Sequence, residues 1–331
     1  MIARLRIVDA GPLASVQDGG RPGLMRFGVP QSGPMDRLAF AMANAALGNP
    51  DGTAALEIPP AGLVLDCLSG ALSVALAGGG FRATCAGVTR EGAGVFPLRA
   101  GDRLALRPGD WGNWAVLALA GRLGVPSWLG SAATHAASGL GAGLLQPGTE
   151  LEVTDTALRP ERHGPFDPPP RPDGHLRVVI GPQQRFFAPE AMQALLSQPF
   201  RVSAARDRMG QRLDGPRLLP NALDMPSEPV LRGSVQVSGD GVATVLMADH
   251  QTTGGYPKIA TVIGPDLDAL AQMRPDEVLH FTAIRPDQAV RTARAIHEAR
   301  MTRLAALAGP RDLGQRLAQA NLIGGVVDAR G

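Results

Sequence analysis

The chain of 331 residues has one lysine, one tyrosine and two cysteines. Two cysteines, Cys67 and Cys85, cannot staple a fold, and they read as buried thiols acting as small apolar groups. Such usage points to a reducing compartment, so the cytoplasm is the expected location. Met1–Arg6 lacks the apolar run of a signal peptide, and no stretch reaches the ~18 continuous apolar residues of a membrane span. No block of one charge stands out either. The net charge is +2 with acids and bases interspersed, which argues against nucleic acid or a membrane as partner. No glycine-rich loop ends in Gly-Lys-Ser/Thr, and no Gly-x-Ser-x-Gly elbow is present. Gly139–Gly143 has no strand before it or helix after it and reads as a turn. The six histidines are scattered, none at zinc spacing, so no metal site is expected.

What the chain does hold is 42 glycines and 29 prolines, with no repeat period. This favours many short strands joined by turns. Strand-like runs fall at Leu5–Val8, Leu63–Leu68, Leu72–Ala77, Arg103–Leu106 and Asn113–Ala120, then at Leu176–Ile180, Val235–Val237, Val242–Ala248, Ile259–Ile263 and Val278–Thr282. Helices are expected over Pro34–Leu47, Pro189–Leu196, Pro265–Met273 and Pro286–Ala308. The first would be capped by Ser32 or Gly33, start at Pro34, and bury Leu38, Ala41, Met42 and Ala45. The last has a stripe of Ala289, Ala293, Ile296, Leu304 and Leu307 that Arg300 interrupts. Residues 159–174 hold six prolines and read as an extended linker. The expectation is a mainly β fold with a few helices, in two barrel-like β-rich units. Their bounds are 1–158 and 175–310, with a tail, 311–331, that forms a further amphipathic helix and then frays.

Three constellations carry candidate chemistry. Gln17, Asp18 and Arg21 precede Ser32, Gly33, Met35 and Asp36, where a helix N-terminus and a guanidinium would suit an anion; alternatively, Asp18 and Arg21 simply pair. Arg206, Arg208 and Arg212 surround Met209 and Gly210, which reads as anion recognition or as a solvated face. The third is Asp249–Lys258, DHQTTGGYPK, a polar glycine-bearing loop between strand-like runs. It holds the sole tyrosine and the sole lysine two positions apart, a coincidence expected in roughly one random chain in a hundred. A chain with 31 arginines that keeps one ammonium keeps a compact charge with a tunable pKa.

These residues resemble the KipA family, also called allophanate hydrolase subunit 2 or the C subunit of 5-oxoprolinase. Its module also forms part of the carboxyltransferase domain of urea carboxylase. The resemblance spans about residues 4–300 and rests on Ser15–Arg21, Gly28–Asp36, Ala55–Glu57, Arg208–Gly210 and, above all, Gln251–Ile259. It implies a cyclophilin-like barrel architecture. It also implies an ATP-dependent conversion of 5-oxoproline to glutamate, with another small amide or lactam as substrate left open. The partners would be two further chains, one KipI-like and one LamB/YcsF-like, with ATP shared with or bound by the complex. Lys258 and Arg208 would then stabilise anionic charge, and Asp249 or Asp18 would handle a proton or hydrogen bond. Gln17, Arg21, Ser32, Gly33, Met35, Asp36, Glu57, Met209, Gly210, Arg212, Gln251, Thr252, Thr253, Gly254, Gly255 and Tyr256 would bind substrate. Fused relatives imply an alternative, transfer of a carboxyl group from carboxybiotin to urea; this chain lacks a Met-Lys-Met acceptor and would only receive biotin carried by a partner. A third implied role is a non-catalytic antagonist of a KipI-like kinase inhibitor. Ala132, Gln211, Ser238 and His250 depart from the family pattern, so the choice of substrate stays open.

Overall fold

The computed structural model describes residues 1–223 and 225–309. The expected tail, 311–331, lies outside these. In the first half a seven-stranded sheet and a six-stranded sheet enclose one core. Along Ala3–Ala10 inward residues alternate with outward ones, the two-residue period of a half-buried strand. Ala71–Gly78 is buried almost throughout because both faces are covered. Its Leu72, Val74 and Leu76 join the core between the sheets, while Ala75 and Ala77 face helix α1, Arg37–Leu47. Small residues on that face let the helix lie close.

The second half is a closed seven-stranded barrel. Its strands run in the order His175–Ile180, Lys258–Val262, Ser234–Val237, Ala243–Leu246, Gly210–Asp214, Phe200–Arg206 and Val278–Ala283. The last pairs in parallel with the first and shuts the ring. Val178, Leu213, Val235, Val245, Ile259 and Phe281 fill it. Three helices accompany it: α2 (Pro189–Ser197), α3 (Gly264–Gln272) and α4 (Pro286–Ala308). Among the described residues no helix is long and apolar enough to cross a membrane.

The two β-rich units and the four helices match the sequence reading, with three differences. Neither Ser32 nor Gly33 caps α1, and Pro34 does not begin it. Both have left-handed backbones (φ +56° and +91°), whereas the extended Asp36 accepts from Ala39 N at 2.8 Å. Of the expected stripe Met42 is buried and Leu38 packs partly against the core, but Ala41 and Ala45 are only half-buried; the buried side is Ala39, Phe40, Met42, Ala43, Ala46 and Leu47, because the helix is wedged between a sheet and α4. The proline-rich stretch is only partly a linker. Gly164–Pro165 pairs with the strand Gly94–Arg99, and Arg162 reaches the carbonyl of Ala308 at 2.9 Å. Arg300, the interruption in α4, faces Asp268 at 3.4 Å.

The two halves share polar contacts. Gln272 Oε1 accepts from Asn113 N and Trp114 N, and its Nε2 donates to Trp114 O and to Asp36 Oδ2 (2.7 Å). Burial, reinforced by nearby Asp268, pushes the Asp36 carboxyl up to about 7. In the unfolded chain it would titrate near 4. The folded form therefore holds this proton more tightly, and the stability it contributes is complete below about pH 4 and lost as pH rises through 7. Asparagine caps as well as aspartate. Denaturant titrations of wild type and Asp36→Asn between pH 4 and 8 should therefore differ by an amount that moves against the wild type as pH rises. A pH-independent difference would refute the shift.

Candidate functional site

The strand Ser15–Gln17 pairs with Ala55–Ile58, which carries the buried Glu57. Asp18 does not pair with Arg21. Its carboxylate accepts from Ser131 Oγ (2.5 Å), Ala132 N (2.6 Å) and Gly20 N (2.9 Å). Arg21 is buried and donates to the carbonyls of Trp128, Ser131 and Ala133 at 2.6–3.1 Å. Together they fasten the 128–133 segment over the turn. Gly20 (φ +78°) presses on the next turn so closely that a Cβ would stand 2.7 Å from the Gln31 carbonyl. Arg21 Nη1, the Gln17 Oε1 and the Ser32 hydroxyl are buried without a protein partner.

The three arginines of the second constellation diverge. Asp207 accepts from Met209 N (2.8 Å) and Gly210 N (3.1 Å), tightening the turn between two barrel strands. Arg206 turns to Asn113 and the Met273 carbonyl. Arg212 is exposed, 3.9 Å from Asp240, and only it matches a solvated face. Arg208 points inward and is 2 % exposed.

Around Arg208 the halves meet. Its Nε and Nη2 donate to the two oxygens of Asp249, each at 2.9 Å, and Nη2 also reaches the Gly33 carbonyl at 2.7 Å. Its Nη1 is paired with Glu57, whose other oxygen accepts from Met35 N at 2.6 Å. Burial opposes the charge on Arg208, but Glu57 and Asp249 outweigh it and hold the guanidinium protonated. Burial pushes the Glu57 carboxyl up, against the pull of Arg208. Arg232 donates to the carbonyls of Pro34 and Met35 beside them, and His135 Nε2 to the carbonyl of Asp249 (3.2 Å). The structure thus brings Gly33, Met35, Glu57, Arg208 and Asp249 together; Asp36 is a helix cap.

The rest of the third constellation lies on the barrel's outer wall. A cavity of about 540 Å³ is lined by Met209, Gly210, Arg212, Gln236, Gln251 and Tyr256, among others. Thr253 and Gly254 pair with Glu228 and Pro229, while Gly255 and Tyr256 are exposed. Lys258 starts the next strand with its ammonium shielded, without a hydrogen bond among the described residues and 3.7 Å from Glu228. His250 hydrogen-bonds the Gln251 carbonyl at 2.6 Å, and burial lowers its pKa.

A family model of the carboxyltransferase domain, subdomain A and B, matches residues 27–283. The chain belongs to this family. It is 32% identical over 292 residues to the C subunit of 5-oxoprolinase from Escherichia coli, covering 87% of this chain and 93% of that protein. The Haemophilus influenzae protein of the same name is also 32% identical, with 87% and 94% covered. The solved Kluyveromyces lactis urea amidolyase is 25% identical with a TM-score of 0.79, over 92% of this chain and 20% of that one. The chain therefore corresponds to about a fifth of that enzyme's length.

Several residues of this family member escaped sequence reading. Arg232, Glu228 and Gln183 carry no local signal, since each gains its partner from a distant segment, and His135 has Ser138 beside it but meets Asp249 from afar. Gln236, a polar residue inside a Val-rich strand, was the one visible hint. The ion cluster itself yields a prediction. Arg208→Met leaves two buried carboxylates unpaired and should cost about 3–5 kcal/mol in urea denaturation. Adding Glu57→Gln and Asp249→Asn should recover part of that loss; no recovery would show that the charges are not its source.

Proposed function

We propose that this chain is the C subunit of an ATP-dependent 5-oxoprolinase, opening the lactam of 5-oxoproline to glutamate. The observation that carries the reading is Lys258, an ammonium shielded from solvent without a hydrogen bond, on the motif-bearing loop. Similarity to the C subunit of the Escherichia coli 5-oxoprolinase over nearly that protein's whole length supports it. 5-Oxoproline carries one carboxylate and its ring opening frees a second, an anion that a desolvated cation holds. Lys258 takes that role. Arg208 and Asp249 have committed their donors and acceptors to one another, so they act as positioning residues that anchor the loop's start. Met209, Gly210, Gln251 and Tyr256 line the adjoining cavity, and Arg212 stands at its edge. The partners are a KipI-like chain and a LamB/YcsF-like chain. ATP enters through that complex, and no residue of this chain is assigned to it.

Likeness to urea amidolyase favours one second reading, carboxyl transfer from a biotin that a partner carries. Co-expression with candidate KipI-like and LamB/YcsF-like partners separates the two. The expected result is ATP-dependent glutamate release that needs all three chains and falls at least about 100-fold in Lys258→Met with the complex intact. Unchanged turnover in that variant would remove Lys258 from the chemistry. An intact complex without turnover, with a biotinylated protein co-purifying, would favour carboxyl transfer; a tight inert complex would favour a regulatory antagonist.

A further inference from the structure

Two shielded donors lie side by side beneath the 251–257 loop. Gln236 and Lys258 are opposed in an antiparallel pair, so their side chains rise on one face. Among the described residues Gln236 Nε2 has no partner, while its Oε1 accepts from Gln251 Nε2 at 3.1 Å. Gly254 roofs this amide so closely that a Cβ there would collide with Nε2. An unmet buried donor costs about 1–3 kcal/mol, more when charged. Two of them together mark a place shaped for acceptor oxygens.

The roof is thinly held. Glu228–Pro229 and Thr253–Gly254 form a ladder of two residue pairs, with Val230 N to the Thr252 carbonyl (3.1 Å) beside it. Glu228 is the only carboxylate near the ammonium among the described residues, at 3.7 Å, and its side chain is 41% exposed. Gln183 holds it from the other side while accepting from Lys258 N at 2.7 Å.

We propose that Lys258 Nζ and Gln236 Nε2 form a two-donor subsite for a ligand carboxylate or carboxyl-derived oxyanion, and that Glu228 is a resident stand-in which the ligand displaces. This deepens the reading of Lys258 as an anion holder and rests on it. An ammonium and a neutral amide donor suit the two oxygens of one carboxylate. A second carboxylate beside the same ammonium would repel the first, so Glu228 must leave as the ligand enters. Its long contact to the ammonium, its exposure and the short ladder favour that departure, against the one hydrogen bond from Gln183.

Calorimetric titration of the full chain with 5-oxoproline, acetate and 2-pyrrolidinone (the ring without its carboxylate) tests this. Glu228→Gln should bind 5-oxoproline about tenfold more tightly than wild type. Acetate should gain as well, and 2-pyrrolidinone should not. Gln236→Leu added to Glu228→Gln should lose the gain; Glu228→Ala serves as a second variant. Equal affinities in wild type and both Glu228 variants, a gain shared by 2-pyrrolidinone, or no binding of either carboxylate would overturn the proposal. Turnover by the reconstituted complex with KM unchanged in Glu228→Gln sinks the stand-in and leaves the proposed function. Tighter carboxylate binding without any turnover keeps the subsite and removes the 5-oxoprolinase reading.

Discussion

The buried guanidinium of Arg208 is the contact on which the arrangement of the two halves depends. It ties Glu57 and Gly33 of the first half to Asp249 of the second, with almost no exposure to solvent. Arg208 and Arg232 stand against Glu57 and Asp249, so the cluster is balanced in charge. Such an assembly is poor at adding stability beyond an apolar core of equal volume. Its value is specificity. The planar fork accepts only one placement of two carboxylates and a carbonyl, and that placement fixes how the barrel sits on the sheets.

The constraint passes directly to the loop that follows Asp249. With its first residue locked by Arg208 and its last continuing into the strand Lys258–Val262, the loop can vary only between these points. Gly254 allows it to lie flat on Gln236, and the short ladder to Glu228 holds it there. The outcome is a rigid base with a weakly fastened cover. Elements that must admit a ligand are drawn from the least stable parts of a fold, and a ladder of two residue pairs meets that description.

Legibility in the sequence followed the reach of each signal. Strands with aliphatic runs, such as Leu72–Ala77 and Val242–Ala248, were visible, and so were the helices that begin with proline. Arg82–Cys85, Val88–Glu91 and Phe200–Arg206 were not, because charged residues mask their alternation and neighbouring strands supply the pairing. The lone Lys258 stood out by rarity alone. Arg208 was visible as part of a run, yet nothing local distinguished it from the exposed Arg212; its carboxylate partners lie 41 and 151 positions away. The cap of α1 was misplaced by a few residues because positive φ at Ser32 is set by the neighbouring turn at Gly20, a tertiary contact.

The scarcity of lysine acquires a physical reason from these contacts. Arginines 21, 206, 232 and 274 each direct their forks at backbone carbonyls of other segments, where several fixed donors on one planar group are an advantage. A guanidinium used this way has several of its donors committed to the fold. An ammonium on a flexible stem can instead be held by a single distant carboxylate with its hydrogens unused. Lys258 is in that state, 3.7 Å from Glu228. The chain therefore uses arginine where contacts must be permanent. It keeps its one lysine where a contact must be given up, which is why replacing Lys258 with arginine would not be a conservative change.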